Sequence, residues 1–204
     1  MTGLTLRGAG DPLLAPSTDL AVAADHVRAI PPGDATREGF RARTLDLIAT
    51  YPDALDRRRV DPGHLTGSGL VVDPASRRVL LLLHAKLGIW VQPGGHADGD
   101  ASLPGVALKE ATEETGIAGL RVATPALDVD IHLIPPPHGP TLHYDVRYLV
   151  VAPPGAVPVR NHESLDIAWL GLDELPGYGV DDGTLRLARA GLAAFDALRA
   201  TGAA

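Results

Sequence analysis

Residues 93–117 read Pro93-Gly94-Gly95-His96-Ala97-Asp98-Gly99-Asp100-Ala101-Ser102-Leu103-Pro104-Gly105-Val106-Ala107-Leu108-Lys109-Glu110-Ala111-Thr112-Glu113-Glu114-Thr115-Gly116-Ile117. Glu110, Glu113 and Glu114 are three and four residues apart, so a helix would carry all three carboxylates on one face. Like charges so spaced repel unless something positive lies among them. A hard divalent cation, Mg2+ or Mn2+, takes carboxylate oxygens and keeps room for substrate phosphates. The turn Pro93-Gly94-Gly95-His96 has a backbone that can approach a ligand closely. A helix from about Leu103 to Thr115 fits the remainder, with Ser102 as cap, Pro104 in the first turn and Gly116 past the end. A solvated acidic face is the commonest fate of such spacing. The glycine turn leading into it points instead to phosphate chemistry run through a metal.

This stretch resembles the Nudix box, G-x5-E-x7-R-E-U-x-E-E-x-G-U with U aliphatic. Gly95, Glu110, Ala111, Glu113, Glu114, Gly116 and Ile117 take their places without a gap. Two positions depart: Ala101 stands where the family has Glu, and Lys109 where it has Arg. In the family these two side chains are expected to brace loop against helix. Asp100 or Asp98 is the replacement carboxylate expected for Lys109. The resemblance implies an α/β fold, the Nudix-type α/β/α sandwich with a mixed sheet. It also implies hydrolysis of a pyrophosphate linked to another group, with Mg2+ or Mn2+ as cofactor. Glu110, Glu113, Glu114 and the backbone carbonyl of Gly95 are the implied metal ligands. Glu113 and Glu110 are the implied catalytic carboxylates, with the base left open because the family can supply it from outside the box. Glu163, in the loop before the Trp169 strand, matches a position from which family members reach the metal or the attacking water.

Composition narrows the alternatives. The chain has 204 residues, enough for one domain with an additional segment. It contains no cysteine, which removes disulfides, Cys-based zinc sites and thiol nucleophiles. That also argues against the cysteine-dependent isopentenyl diphosphate isomerases of the same superfamily. Net charge is −7, which disfavours binding to nucleic acid or an anionic membrane. No apolar run reaches the roughly 20 residues of a membrane span, so the cytoplasm is the expected compartment. A small-molecule pyrophosphate is the expected partner, and a homodimer is the expected assembly if there is one. The reading from a different class is a sensor that keeps the fold and binds a nucleotide metabolite without cleaving it. Ala101 and Lys109 keep that reading open.

Outward from the box, residues 1–62 read as an N-terminal helical extension packed on a core formed by residues 63–204. Residues 1–16 read as a loose arm. Thr18–Ala29 reads as a helix capped by Thr18 or Ser17, and Thr36–Thr50 as a second. Strands are expected at Leu70–Val72, Val79–Leu83 and Ile167–Leu170. A long hairpin is expected from Arg121–Leu133 to Thr141–Val151, turning at residues 135–140. A short helix at Leu172–Leu175 and an amphipathic helix at Thr184–Arg199 complete the chain.

Three further residues are candidate substrate contacts: His96 beside the glycine turn, Lys86 in the segment entering the box, and His143 in the hairpin. Each has a bland counterpart: a hydrogen-bonding histidine, or a solvated turn lysine. His132 and His143 are expected to face each other across the hairpin. Arg57-Arg58-Arg59 reads as a surface run balanced by Asp53, Asp56 and Asp61.

Overall fold

The computed structural model describes residues 3–134 and 140–202. The expected turn at 135–139, with His138, lies outside the described residues. The longest strands, β2 (Gly63–Asp73) and β8 (Thr141–Val151), run parallel and in register from Gly63↔Leu142 to Val72↔Val151. Residues 63–72 of β2 are all buried, because helices cover both faces of the sheet at this pair. The remaining strands are β1 (Thr5–Arg7), β3 (Arg78–His84), β4 (Trp90–Val91), β5 (Gly94–His96), β6 (Arg121–Thr124), β7 (Asp128–Ile134) and β9 (Ser164–Leu170). Their order is β1-β6-β8-β2-β3-β4, with β5 on β2, β7 on β8 and β9 on β3.

One sheet face packs on α1 (Leu20–Arg28), α2 (Ala35–Thr50) and α3 (Leu103–Thr115), around Val27, Leu47, Leu65, Val71, Leu103, Ala107 and Tyr148. The other packs on α4 (Asp182–Ala200), around Leu70, Val72, Leu149, Leu187, Leu192 and Phe195. The alternation along β2 follows from period-2 geometry: His64, Thr66, Ser68 and Leu70 share one face, while Leu65, Gly67 and Val71 share the other. This is the mixed-sheet α/β architecture expected.

Several local expectations change. The arm is ordered: Thr5–Arg7 pairs with Thr124–Val122 as an edge strand, and Pro12–Leu14 is a 3-10 turn. Aspartates, not hydroxyls, open the helices. Asp19, Asp34 and Asp181 accept from Ala21, Arg37 and Thr184 backbone N–H groups. A carboxylate there also meets the positive helix end. Ser102 occupies the cap position of α3, but its hydroxyl donates to the Leu13 carbonyl, 3.1 Å away, so it makes no cap bond. The hairpin's first arm is two strands, β6 and β7, broken around Pro125, which has no N–H for the ladder. The short helix lies at Leu175–Tyr178 rather than Leu172–Leu175. Gly116 ends α3 at φ 65°, a left-handed position where glycine carries no Cβ penalty.

Candidate active site

β5 holds Gly94 and Gly95 against β2, with Gly95 opposite Gly67 on the α3 face. A Cβ on Gly95 would sit 2.6 Å from Glu110 Oε2. Only glycine lets the Glu110 carboxylate lie against the turn backbone. One turn along the helix, Glu114 accepts the Gly94 N–H at 2.9 Å. Carboxylates therefore join the helix to the glycine turn. Glu110 is half-buried, Glu114 is 8% exposed and Glu113 faces solvent.

Burial dominates the electrostatics. It pushes Glu110 above its ordinary value, against the pull of Lys109. It pushes Glu114 up to about 7, outweighing the Gly94 N–H, with the charges of Glu110, Glu163 and Glu113 adding to the rise. Glu163 is exposed, but its charge is felt at Glu110, Glu114, His84 and His96. Its carbonyl accepts from Ala85 N–H at 2.8 Å, which ties its loop to the turn bearing the exposed Lys86. Among the described residues no arginine pairs with Glu110, Glu113 or Glu114.

Lys109 does not reach Asp100 or Asp98. It pairs with Glu110 at 3.0 Å. Asp100 Oδ1 is occupied by the backbone N–H groups of Ser17 (3.0 Å) and Ser102 (2.8 Å), and Asp98 faces Arg57 at 3.6 Å. Ala101 is fully buried, and its N–H donates to the Ser17 carbonyl at 2.6 Å. The N-terminal arm thus packs over the position where the family carries its bracing Glu.

The opposite face of β5, β2 and β8 is polar in a different way. His96 pairs across from Thr66, and His143 lies between His64 on β2 and His132 on β7 in register. The two candidate contacts His96 and His143 therefore point away from the box carboxylates. Burial lowers His96, and lowers His143 to about 3 with further push from neighbouring histidines. Beyond them, Asp145 accepts from Thr66 Oγ1 (3.0 Å), Ser68 Oγ (2.7 Å) and Arg147 Nε (2.9 Å). Arg147 and Arg186 both pair with Asp130, and Arg186 and Arg37 both pair with Asp128. Burial pushes Asp130 up, but His132, Arg147 and Arg186 outweigh it and hold its carboxyl well below the usual range. Sequence reasoning missed this network. The alternation His143-Tyr144-Asp145 signalled one face but not its partners from α2 and α4. Arg58 and Arg59 pair with Asp56 and Asp53 as a surface run, while Arg57 turns to Asp98 instead.

Two surface hollows, one lined by Pro74, Gly119 and Arg121 and one by Arg77, Arg78 and Asp173, lie toward the other end of β2. Neither touches the carboxylates.

Among known proteins, the NUDIX domain family matches residues 63–189. An m7GpppN-mRNA hydrolase of Xenopus laevis, NUDT17, is 32% identical over 111 residues, 50% of this chain and 36% of that protein. The chain thus spans about a third of the length of that relative. The fold is similar to a C. elegans Ap4A hydrolase in a binary complex, at a TM-score of 0.53 and 18% identity over 67% of this chain and 98% of the other. It is also similar to the E. coli dihydroneopterin triphosphate pyrophosphohydrolase, at 0.51 and 17% over 61% and 92%.

Proposed function

The chain belongs to the NUDIX family, and on that premise we propose that it is a metal-dependent hydrolase of an organic pyrophosphate, with the α3 carboxylates as its working face. The observation that carries this reading is a set of partly buried glutamates that lack arginine partners and lie against a glycine turn. Glu114 is buried with no cationic side chain paired to it among the described residues, and a buried carboxylate without a cation is costly. An all-oxygen donor set of Glu110, Glu113, Glu114 and the Gly95 carbonyl suits Mg2+ or Mn2+. Such an ion, when bound, neutralises charge on the phosphate oxygens and lowers the pKa of water.

The chain's own residues supply the rest. Gly94 N–H orients Glu114, and Lys109 holds Glu110 beside the turn. Glu113 and Glu163 face solvent, where a carboxylate can take a proton from the attacking water. Lys86, exposed on the turn tied to the Glu163 loop, is a candidate cation for an incoming polyphosphate.

The test is a substrate panel run with Mg2+ and with Mn2+: Ap4A, a capped m7GpppN dinucleotide, dihydroneopterin triphosphate, ADP-ribose, NADH, nucleotide sugars and nucleoside triphosphates. Metal-dependent release of a monophosphate or pyrophosphate, lost in Glu113→Gln, is the expected result. Stoichiometric binding of one of these compounds without turnover would favour the sensor reading, with the Ala101 and Lys109 departures as its motive.

A further inference from the structure

Three histidines from three strands meet behind the glycine turn. His64 (β2), His96 (β5) and His143 (β8) bring one ring nitrogen each within 4.8 Å of the other two. Their ring centroids lie 4.8 to 5.2 Å apart, tilted or edge-on rather than stacked. Packing of aromatic bodies alone does not explain how the nitrogens converge.

His64 carries the decisive detail. The side chain is buried at 2% exposure. Its Nδ1 is 2.8 Å from the Arg59 carbonyl, which can only accept, so the proton sits on Nδ1. Its Nε2 then presents a lone pair, and among the described residues that buried atom has no hydrogen-bond partner. A buried acceptor left unpaired is costly and calls for an explanation. A backbone carbonyl on one imidazole nitrogen with the other left free is the arrangement that orients histidine for a metal.

We propose that His64, His96 and His143 form a second metal centre, a three-imidazole site for a first-row transition ion of the Zn2+ class, separate from the carboxylate face. Imidazole nitrogen suits Zn2+, Co2+ or Ni2+, whereas the box oxygens suit Mg2+ or Mn2+, so donor chemistry sorts the two sites. Metal–nitrogen bonds of about 2.0–2.1 Å place tetrahedral ligands roughly 3.3 Å apart. The present spacing is wider. His96 and His143 are only partly buried, so turning their rings toward the fixed His64 closes it. Three protein ligands leave a fourth position for water or a substrate oxygen. The ion would cross-link β2, β5 and β8 directly behind Gly95.

The proposal does not depend on the hydrolase reading. Its test is titration of the metal-free full chain with Co2+, followed by visible absorption, with competition by Zn2+. One equivalent giving the intense bands of a tetrahedral ion is expected, displaced by Zn2+ and retained in Glu113→Gln. His96→Ala and His143→Ala should each weaken Co2+ by roughly 100-fold or more, since loss of even an outer partner costs 10–100-fold. The exposed His162→Ala should change nothing. His96 and His143 are chosen because His64→Ala risks the fold. No bands at one equivalent would overturn the proposal. So would bands that survive both variants, or bands that vanish with Glu113→Gln.

Discussion

The two faces of the sheet treat the same chemical group in opposite ways. On the α4 face, Asp128, Asp130 and Asp145 are buried among Arg37, Arg147 and Arg186, and Asp130 is held below the usual carboxylate range. On the α3 face, Glu110 and Glu114 are held above it, with Lys109 beside Glu110 and only the Gly94 N–H opposing burial at Glu114. A buried acid that has its own arginines is finished as a structural element. One that has only backbone N–H groups and other acids around it is poised for a cation from outside. Charge bookkeeping, more than motif spacing, separates scaffold from candidate site.

The largest effect expected from breaking this contrast is on turnover. Glu114→Gln keeps shape and the Gly94 bond but removes the charge, so kcat/KM on the substrate found by the panel should fall about a thousandfold, on the order of 4 kcal/mol. Thermal stability should hold or rise. The reverse pattern is expected of Arg147→Met. It leaves Asp145 and Asp130 short of a partner and should cost about 3–5 kcal/mol in urea unfolding.

Stability against pH, measured in chelator, sharpens the contrast because the two faces should slope in opposite directions. Glu114 is raised from 4.5 to about 7, so its contribution is present below pH 4.5 and is lost as pH rises to 7. Glu114→Gln should therefore gain on the parent over that window, by on the order of 3 kcal/mol. Asp130 is lowered, so its contribution is present above its ordinary 3.8 and is lost as pH falls below that. Asp130→Asn should fall behind the parent at pH 7 and close the gap in acid. The smallest effect belongs to Lys109→Arg. The pair with Glu110 is partly exposed, so the change should stay within about 1 kcal/mol in melting experiments.

The helix that carries the box glutamates was legible beforehand. Leu103–Thr115 reads as a helix from its glutamate spacing and from Pro104 in the first turn, and Gly116 stops it through a backbone that needs φ above zero. The parallel β2–β8 pairing was not legible, because period-2 alternation names a strand's faces and not its neighbour. Nor was the fate of Asp100. Its carboxylate lies one residue from the missing acid in sequence, yet the N-terminal arm claims it through Ser17, 83 residues away. The arm itself reads as loose from its Gly and Pro content, and long-range strand pairing with Thr124–Val122 overrides that local signal. The histidine triad was half visible: the 132/143 pairing follows from a hairpin, but His64 and His96 join it only through tertiary register. We propose that residues 1–62 are an extension packed on a domain at 63–204. Their helices share the hydrophobic cluster of the α3 face.

The most direct test of the contrast is Mn2+ binding to the metal-free chain, followed by the loss of free-ion electron paramagnetic resonance signal. The account predicts that Glu114→Gln weakens Mn2+ at least about tenfold. Asp130→Asn and His96→Ala should leave it within about twofold. Unchanged Mn2+ affinity in Glu114→Gln, or an equal loss in Asp130→Asn, would contradict the assignment of the α3 carboxylates as the metal-binding face.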